Sequence, residues 1–399
     1  MTTDRTEKRL AELLPQLIAI RRDLHAHPEV GFQEQRTAAK IAEWLERLPG
    51  MQVRRGVAET GIMATLAAGK PGPCLAFRAD MDALPMEDRC GKPHASTHPG
   101  VAHACGHDGH VACLLGAATL MAEFPGELAG PVRFIFQPAE EGGGGAKFMC
   151  EQGALDDPRP VAIFGLHAWP MLPAGMIGLR SGPVMASTDA INITVHGRGA
   201  HAAYPDRGID PIVAASHLVV ALQTVVSRLT SPTEPAVVTI GSFHAGTARN
   251  VIPDQASLSG TLRTLSETKR KACRTAIRQV AEQTVAAFGA RAEVDLVEGY
   301  PVNINNPGLT AFVAATASRV LGDACVAHDL PVSMGGEDCA YFEQLVPGCF
   351  FRLGIAPTDG SAGVASLHNA ALDFNDEAIP AGVRVTCGLA WGWRTRQDA

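Results

Sequence analysis

Three short apolar runs, each followed by polar residues with ligand chemistry, constrain this chain most. Residues 74–78 lead to Asp80 and Asp82, residues 132–136 to Glu140 and Glu141, and residues 161–166 to His167. A fourth run covers 61–67. All four read as buried strands near Gly/Pro turn signals. Helical stretches interleave with them. Leu10, Leu13, Leu14, Leu17 and Ile18 repeat at the helical period, a second helix is expected over 34–48, and a buried one over 111–122. Strands alternating with helices predict an α/β sheet with helices on both faces. In such sheets ligands gather at the carboxyl ends of the strands, where these polar residues lie.

The rhythm changes between about 187 and 301. Strands are expected over 191–196, 236–243, 256–265 and 291–297, with helices over 211–227 and 267–288. The order β-α-β-β-α-β is the split unit of a ferredoxin-like α+β domain. It is complete in itself, so we expect an insertion. The α/β domain then comprises 1–186 and 302–399, and the inserted one 187–301. A helix over 309–321, a strand over 349–353 and a helix over 377–391 complete the first domain.

The 399 residues predict roughly two or three domains. With 46% hydrophobic residues and a net charge of −7, disorder is excluded, and neither nucleic acid nor an anionic membrane is expected as partner. The charged start, MTTDRTEKRLAELL, lacks a signal-peptide core. The nearly apolar stretch at 112–122 is about half of the ~20 residues a membrane span needs. Ten scattered cysteines without a CxxC pair read mostly as buried thiols. A soluble, cytoplasmic protein is expected.

Familiar signatures fail. The run from Gly197 to Ala202 fits G-x-G-x-x-G/A, but Pro205 and Pro211 delay the helix that should open there. Gly142–Gly145 is not followed by a P-loop Lys-Ser/Thr, and there is no G-x-S-x-G or H-E-x-x-H. What remains is HACGHDGH (103–110), with three histidines and a cysteine in eight residues. Cys105 and His107 read either as a buried thiol and a capping residue or as ligands in a strand-to-helix loop. Glu140 and Glu141 read as an acidic turn, or as one carboxylate on a metal beside another that handles a proton. The adjoining glycines are a plain turn or a close approach to a site. His167 and His368 are each ordinary alone. Together with Cys105, His107 and Glu141 they form a mixed N/O/S set. It suits Zn or Mn better than Ca or Mg, and two metals better than one. Asp80 and Asp82 either orient a ligand histidine or pair with Arg78.

The chain resembles the dinuclear metal amidohydrolases and metallopeptidases of aminoacylase, hippurate hydrolase, indole-acetyl-amino-acid hydrolase and carboxypeptidase G type. The matching stretches are RRDLHAHPEVGFQE (21–34), FRADMDALP (77–85), HACGHDGH (103–110), FQPAEEGGGGAK (136–147), GLHAWP (165–170), GRGAHAAYPDRGIDPI (197–212), RNVIPDQA (249–256), MGGEDCAYF (334–342) and LHNAALDFND (367–376). The resemblance implies a catalytic domain holding two divalent metal ions per subunit, Mn or Zn with Co or Ni also accommodated. It implies an inserted lid domain through which copies of the chain form a homodimer or a higher homo-oligomer. It puts Cys105, His107, Glu141, His167 and His368 on the metals and makes Glu140 the general base. It has His201 and Asn250 grip the substrate carbonyl and carboxylate, with His201 acting in cis or across the dimer. His25, His27, His103 and His110 take supporting roles. The pattern departs from the broader family at Asp80, where many relatives carry a metal-binding histidine. The implied reaction is metal-dependent hydrolysis of an N-acyl amino acid. A related dipeptidase, a carbamoyl-amidohydrolase or a non-catalytic acyl-amino-acid binder are the alternatives.

Overall fold

The computed structural model describes residues 4–358 and 365–395. The chain forms two compact units. One runs to Gly182, takes up Ile304–Pro331 and resumes at Asp338; the other is Pro183–Asn303 with Val332–Glu337.

The first unit is built on an eight-stranded mixed sheet. Its order is Met51–Val57, Gly61–Leu66, Val132–Gln137, Cys74–Asp80, Pro160–Pro173, Gly348–Ala356, Ile177–Gly178 and Val326–Ala327. The inner strands Val132–Gln137, Cys74–Asp80, Pro160–Pro173 and Gly348–Ala356 run parallel. Being covered on both faces, they are largely buried rather than alternating, and Arg78, Arg133 and Arg352 are buried along with their apolar residues. Helices Asp4–Ala26, His107–Glu123, Pro307–Leu321 and Ile379–Gly392 supply the apolar cover. Leu13, Leu17, Val111, Leu115, Val313 and Val385 are buried in one continuous core.

Some elements differ from expectation. The helix expected from 111 begins at His107, because Gly106 adopts a left-handed backbone (φ 88°) that turns the chain into it. A Cβ at Gly106 would lie 2.8 Å from that of Ala168. His167, expected at a strand end, lies inside Pro160–Pro173. Despite its prolines, that strand keeps pairing with Gly348–Ala356 as far as Ala356 opposite Pro173. The edge strand Met51–Val57 was not expected, since Arg54, Arg55 and its exposed residues hide the pattern.

The second unit is a four-stranded antiparallel sheet in the order Ala236–Ala245, Gln255–Thr264, Ser187–His196, Arg291–Glu298. In chain sequence this is the 2-3-1-4 arrangement of a ferredoxin-like fold. Its helices, Pro211–Ser227 and Glu267–Ala286, bury Leu218, Leu222, Ile277 and Val285 against Ile193, Leu258 and Leu262. Asp210 caps the first helix, accepting from the Ile212 amide, and Ser266 caps the second, accepting from the Lys269 amide. No helix among the described residues is long and apolar enough to cross a membrane.

Candidate metal centre

The first unit brings five of the expected residues to the carboxyl end of its sheet. Cys105, His107 and His167 offer ligand atoms within 4.8 Å of one another, and so do Cys105, Glu141 and His368. Cys105 belongs to both groups. Its Sγ lies 3.5 Å from His167 Nε2, and Glu141 Oε1 lies 3.1 Å from His368 Nε2.

Two of the imidazoles are fixed in orientation by backbone carbonyls. His107, the first residue of its helix, donates Nδ1–H to the Asp82 carbonyl at 2.9 Å, and His167 donates Nδ1–H to the Ala168 carbonyl at 2.8 Å. Each ring therefore turns Nε2 toward the cluster. His107 Nε2 is buried with no hydrogen-bond partner. An unpartnered ring nitrogen beside a thiol and a carboxylate fits a bound transition-metal ion. Electrostatics agree. Hydrogen bonds to Cys105 and Glu141 push the half-exposed His368 up to about 10, so this spot favours positive charge. Burial holds His167 low and pushes the Cys105 thiol up.

His110 shares the motif but is committed elsewhere. Its Nε2 accepts the Ala168 amide at 2.7 Å, and its Nδ1–H meets Asp80 Oδ1 at 2.5 Å. Asp80 also takes Arg78 at 2.8 Å. Burial alone would raise the Asp80 pKa, but Arg78 and the two histidines hold it well below the usual carboxylate range. Asp82 does something different. Its Oδ2 accepts the Glu141 amide at 2.9 Å while its carbonyl orients His107.

Glu140 is buried beside Glu141, on the loop that follows Val132–Gln137. The glycines make a turn at Gly142, where an added Cβ would meet nothing within 4 Å, and a close approach to the chain itself at Gly145. Gly142 has φ 101°, and a Cβ at Gly145 would lie 1.8 Å from the Pro138 carbonyl oxygen. Two carboxylates that sequence reasoning missed hold this loop. Glu34 accepts the Ala139 amide at 2.9 Å and the Thr60 hydroxyl at 2.6 Å. Asp338 accepts the Ala146 amide at 3.0 Å and the Gln137 side-chain amide at 2.7 Å. Both lie in stretches that the resemblance covers, yet neither has a local ligand pattern.

His201 and Asn250 lie on the second unit. They neighbour each other on a short ribbon, where His201 pairs with Val251 and the Ala202 amide donates to the Asn250 carbonyl. Both side chains are exposed.

Residues 76–391 match Peptidase family M20/M25/M40. The chain belongs to this family. An N-acetyl-L-cysteine deacetylase of Bacillus subtilis is 42% identical over 370 residues, 93% of this chain and 86% of its own length. An IAA-amino acid hydrolase of Arabidopsis thaliana is 38% identical over 378 residues, 94% and 84% of the two chains. Among solved structures, a dinuclear metal binding peptidase of the M20 family from Bacillus subtilis matches with a TM-score of 0.84 at 37% identity, covering 96% of this chain and 98% of its own. The M20 chain described here is accordingly a hydrolase with a large mixed α/β catalytic part and a lid part.

Proposed function

We propose that this chain hydrolyses the amide bond of N-acyl amino acids, releasing a carboxylate and a free amino acid. The observation that carries the proposal is the convergence of two ligand groups, sharing Cys105, beside the buried Glu140. In this reading Cys105, His107, Glu141, His167 and His368 hold two divalent ions, Mn or Zn. The names of the relatives, a deacetylase of an N-acetyl amino acid and a hydrolase of IAA-amino acids, support the substrate class.

Metals so held supply Lewis acidity, lowering the pKa of water and polarising a carbonyl. The chain's own residues do the rest. Asp82 fixes both the ring of His107 and the backbone of Glu141, so the ligands are set before substrate arrives. Glu140 takes a proton from the attacking water and passes it to the amide nitrogen. The new C–O bond forms and the C–N bond breaks, with the amine leaving neutral. His201 and Asn250 are proposed as substrate-gripping residues on the family resemblance alone, and alanine at either raises KM.

A cytoplasmic homodimer is the proposed setting. All ten cysteines are free, in keeping with a reducing compartment. The edge strand Ala236–Ala245 carries no charged residue to block pairing, and neither does the neighbouring helix Pro211–Ser227, whose Val220 is 71% exposed.

The test is a panel of N-acetyl amino acids, hippurate, indole-acetyl conjugates and dipeptides, run on protein of measured metal content. Release of amino acid from the N-acyl compounds, abolished by a chelator and restored by Mn or Zn, is expected. Hydrolysis of dipeptides alone would overturn the substrate class.

A further inference from the structure

Arg352 is a buried arginine of the first unit with neither a carboxylate partner nor a full set of hydrogen bonds among the described residues; Arg133, also without a carboxylate, has its N–H groups taken by carbonyls and a hydroxyl. Arg352 is 4% exposed. Its guanidinium carbon lies 3.9 Å from the ring centre of Trp169, and one terminal nitrogen donates to the Pro331 carbonyl at 2.9 Å. The other terminal nitrogen is buried and has no hydrogen-bond partner among the described residues. Arg21 and Arg78, comparably buried, are each paired with carboxylates. Arg352 has no such pair among the described residues. Burial, and after it the nearby cation Arg180, lowers its pKa to about 10.

A buried guanidinium with a free N–H is costly unless an anion meets it. Its planar fork favours a carboxylate, and stacking on Trp169 holds that plane still. The placement says which carboxylate. Arg352 is paired in register with His167 on the adjacent parallel strand, and Trp169 is two residues beyond His167. Register partners and residues two apart share a face of the sheet. Arg352 therefore lies on the face of a metal-ligand candidate, one strand away, within the span of a small substrate.

We propose that Arg352, stacked on Trp169 beside His167, is a subsite for a second carboxylate of the substrate, so that the preferred N-acyl amino acids are dianions. This rests on the hydrolysis reading above for the substrate class, but binding tests it without turnover. The second carboxylate could sit on the amino-acid side chain or on the acyl group, and two pairs of probes distinguish these sources. N-acetyl-L-glutamate is compared with N-acetyl-L-glutamine, and N-succinyl-L-alanine with its terminal amide.

Dissociation constants are measured by calorimetry on metal-loaded Glu140→Gln protein, with Arg352 intact and with Arg352→Gln or Arg352→Lys. With Arg352, at least one acid is expected to bind about tenfold more tightly than its amide. Arg352→Gln abolishes that ratio while leaving the amide's affinity within about twofold. Arg352→Lys, which keeps the charge, retains part of the ratio and covers the case in which the Gln variant does not fold. A ratio near one with Arg352 intact, or a ratio that survives in Arg352→Gln, overturns the subsite. If the ratio follows Arg352 but no probe is turned over by the unmutated enzyme, the subsite stands and the hydrolysis reading falls.

Discussion

Around Glu140 and Glu141, three buried carboxylates act on the backbone of one loop. Glu34 accepts the Ala139 amide, Asp82 the Glu141 amide and Asp338 the Ala146 amide. At Glu34 burial outweighs the hydrogen bonds it accepts. Burial raises its carboxyl from the ordinary 4.5 to about 7, against the opposing hydrogen bond from Thr60. A carboxyl that binds its proton more tightly folded than unfolded contributes stability fully present below pH about 4.5. That stability is lost as pH rises through about 7. Glu34→Gln, neutral throughout, is expected to be more stable than the parent at pH 8 by on the order of 2–3 kcal/mol and to show a flatter pH dependence between pH 5 and 8. Denaturant titrations across that range check it, and parallel curves for the two proteins would rule out a strained buried acid. At this scale the sequence was informative where chemistry is concentrated. Cys105, His107, Glu141, His167 and His368 stand out by type, and the fold does bring them together. Glu34 and Arg352 do not stand out. A lone glutamate or arginine in a mixed stretch looks solvated until tertiary packing buries it.

The elements that carry the site depend on backbone shapes that few residues adopt. The glycine run after Val132–Gln137 is the clearest case. A methyl group at Gly145 would meet the Pro138 carbonyl oxygen at 1.8 Å, whereas one at Gly126 meets nothing within 4 Å. Gly145→Ala is expected to cost about 1–3 kcal/mol and to lower kcat, with Gly126→Ala within about 0.5 kcal/mol of the parent. Thermal melts and initial rates test the pair, and equal effects would contradict the packing argument. The inner strands and the β-α-β-β-α-β order were legible because burial on two faces or on one leaves different apolar patterns. The start of the helix at His107 was not, since a Gly-His-Asp-Gly-His run looks like a loop. Only the left-handed turn at Gly106 converts it into a helix N-terminus. The two-residue strands Ile177–Gly178 and Val326–Ala327 are too short to leave a period at all.

For the whole molecule, the division into two units separates the metal-ligand candidates from the exposed His201–Asn250 ribbon. The uncharged edge strand Ala236–Ala245 gives the second unit a route to self-association. Thr239→Lys, at an exposed position of that strand, is expected to convert the proposed dimer to a monomer in light scattering. An unchanged mass would exclude this edge as the contact. The central claim concerns the chemistry of the first unit, and one comparison tests it most directly. Release of free amino acid from N-acetyl amino acids and hippurate is measured for metal-loaded parent and Glu140→Gln proteins, with metal content determined on the same samples. We predict turnover by the parent, the same metal content in both, and a loss of about 10²–10⁴ in kcat in the variant. Full activity in Glu140→Gln, or no release by a fully metal-loaded parent, would contradict the account.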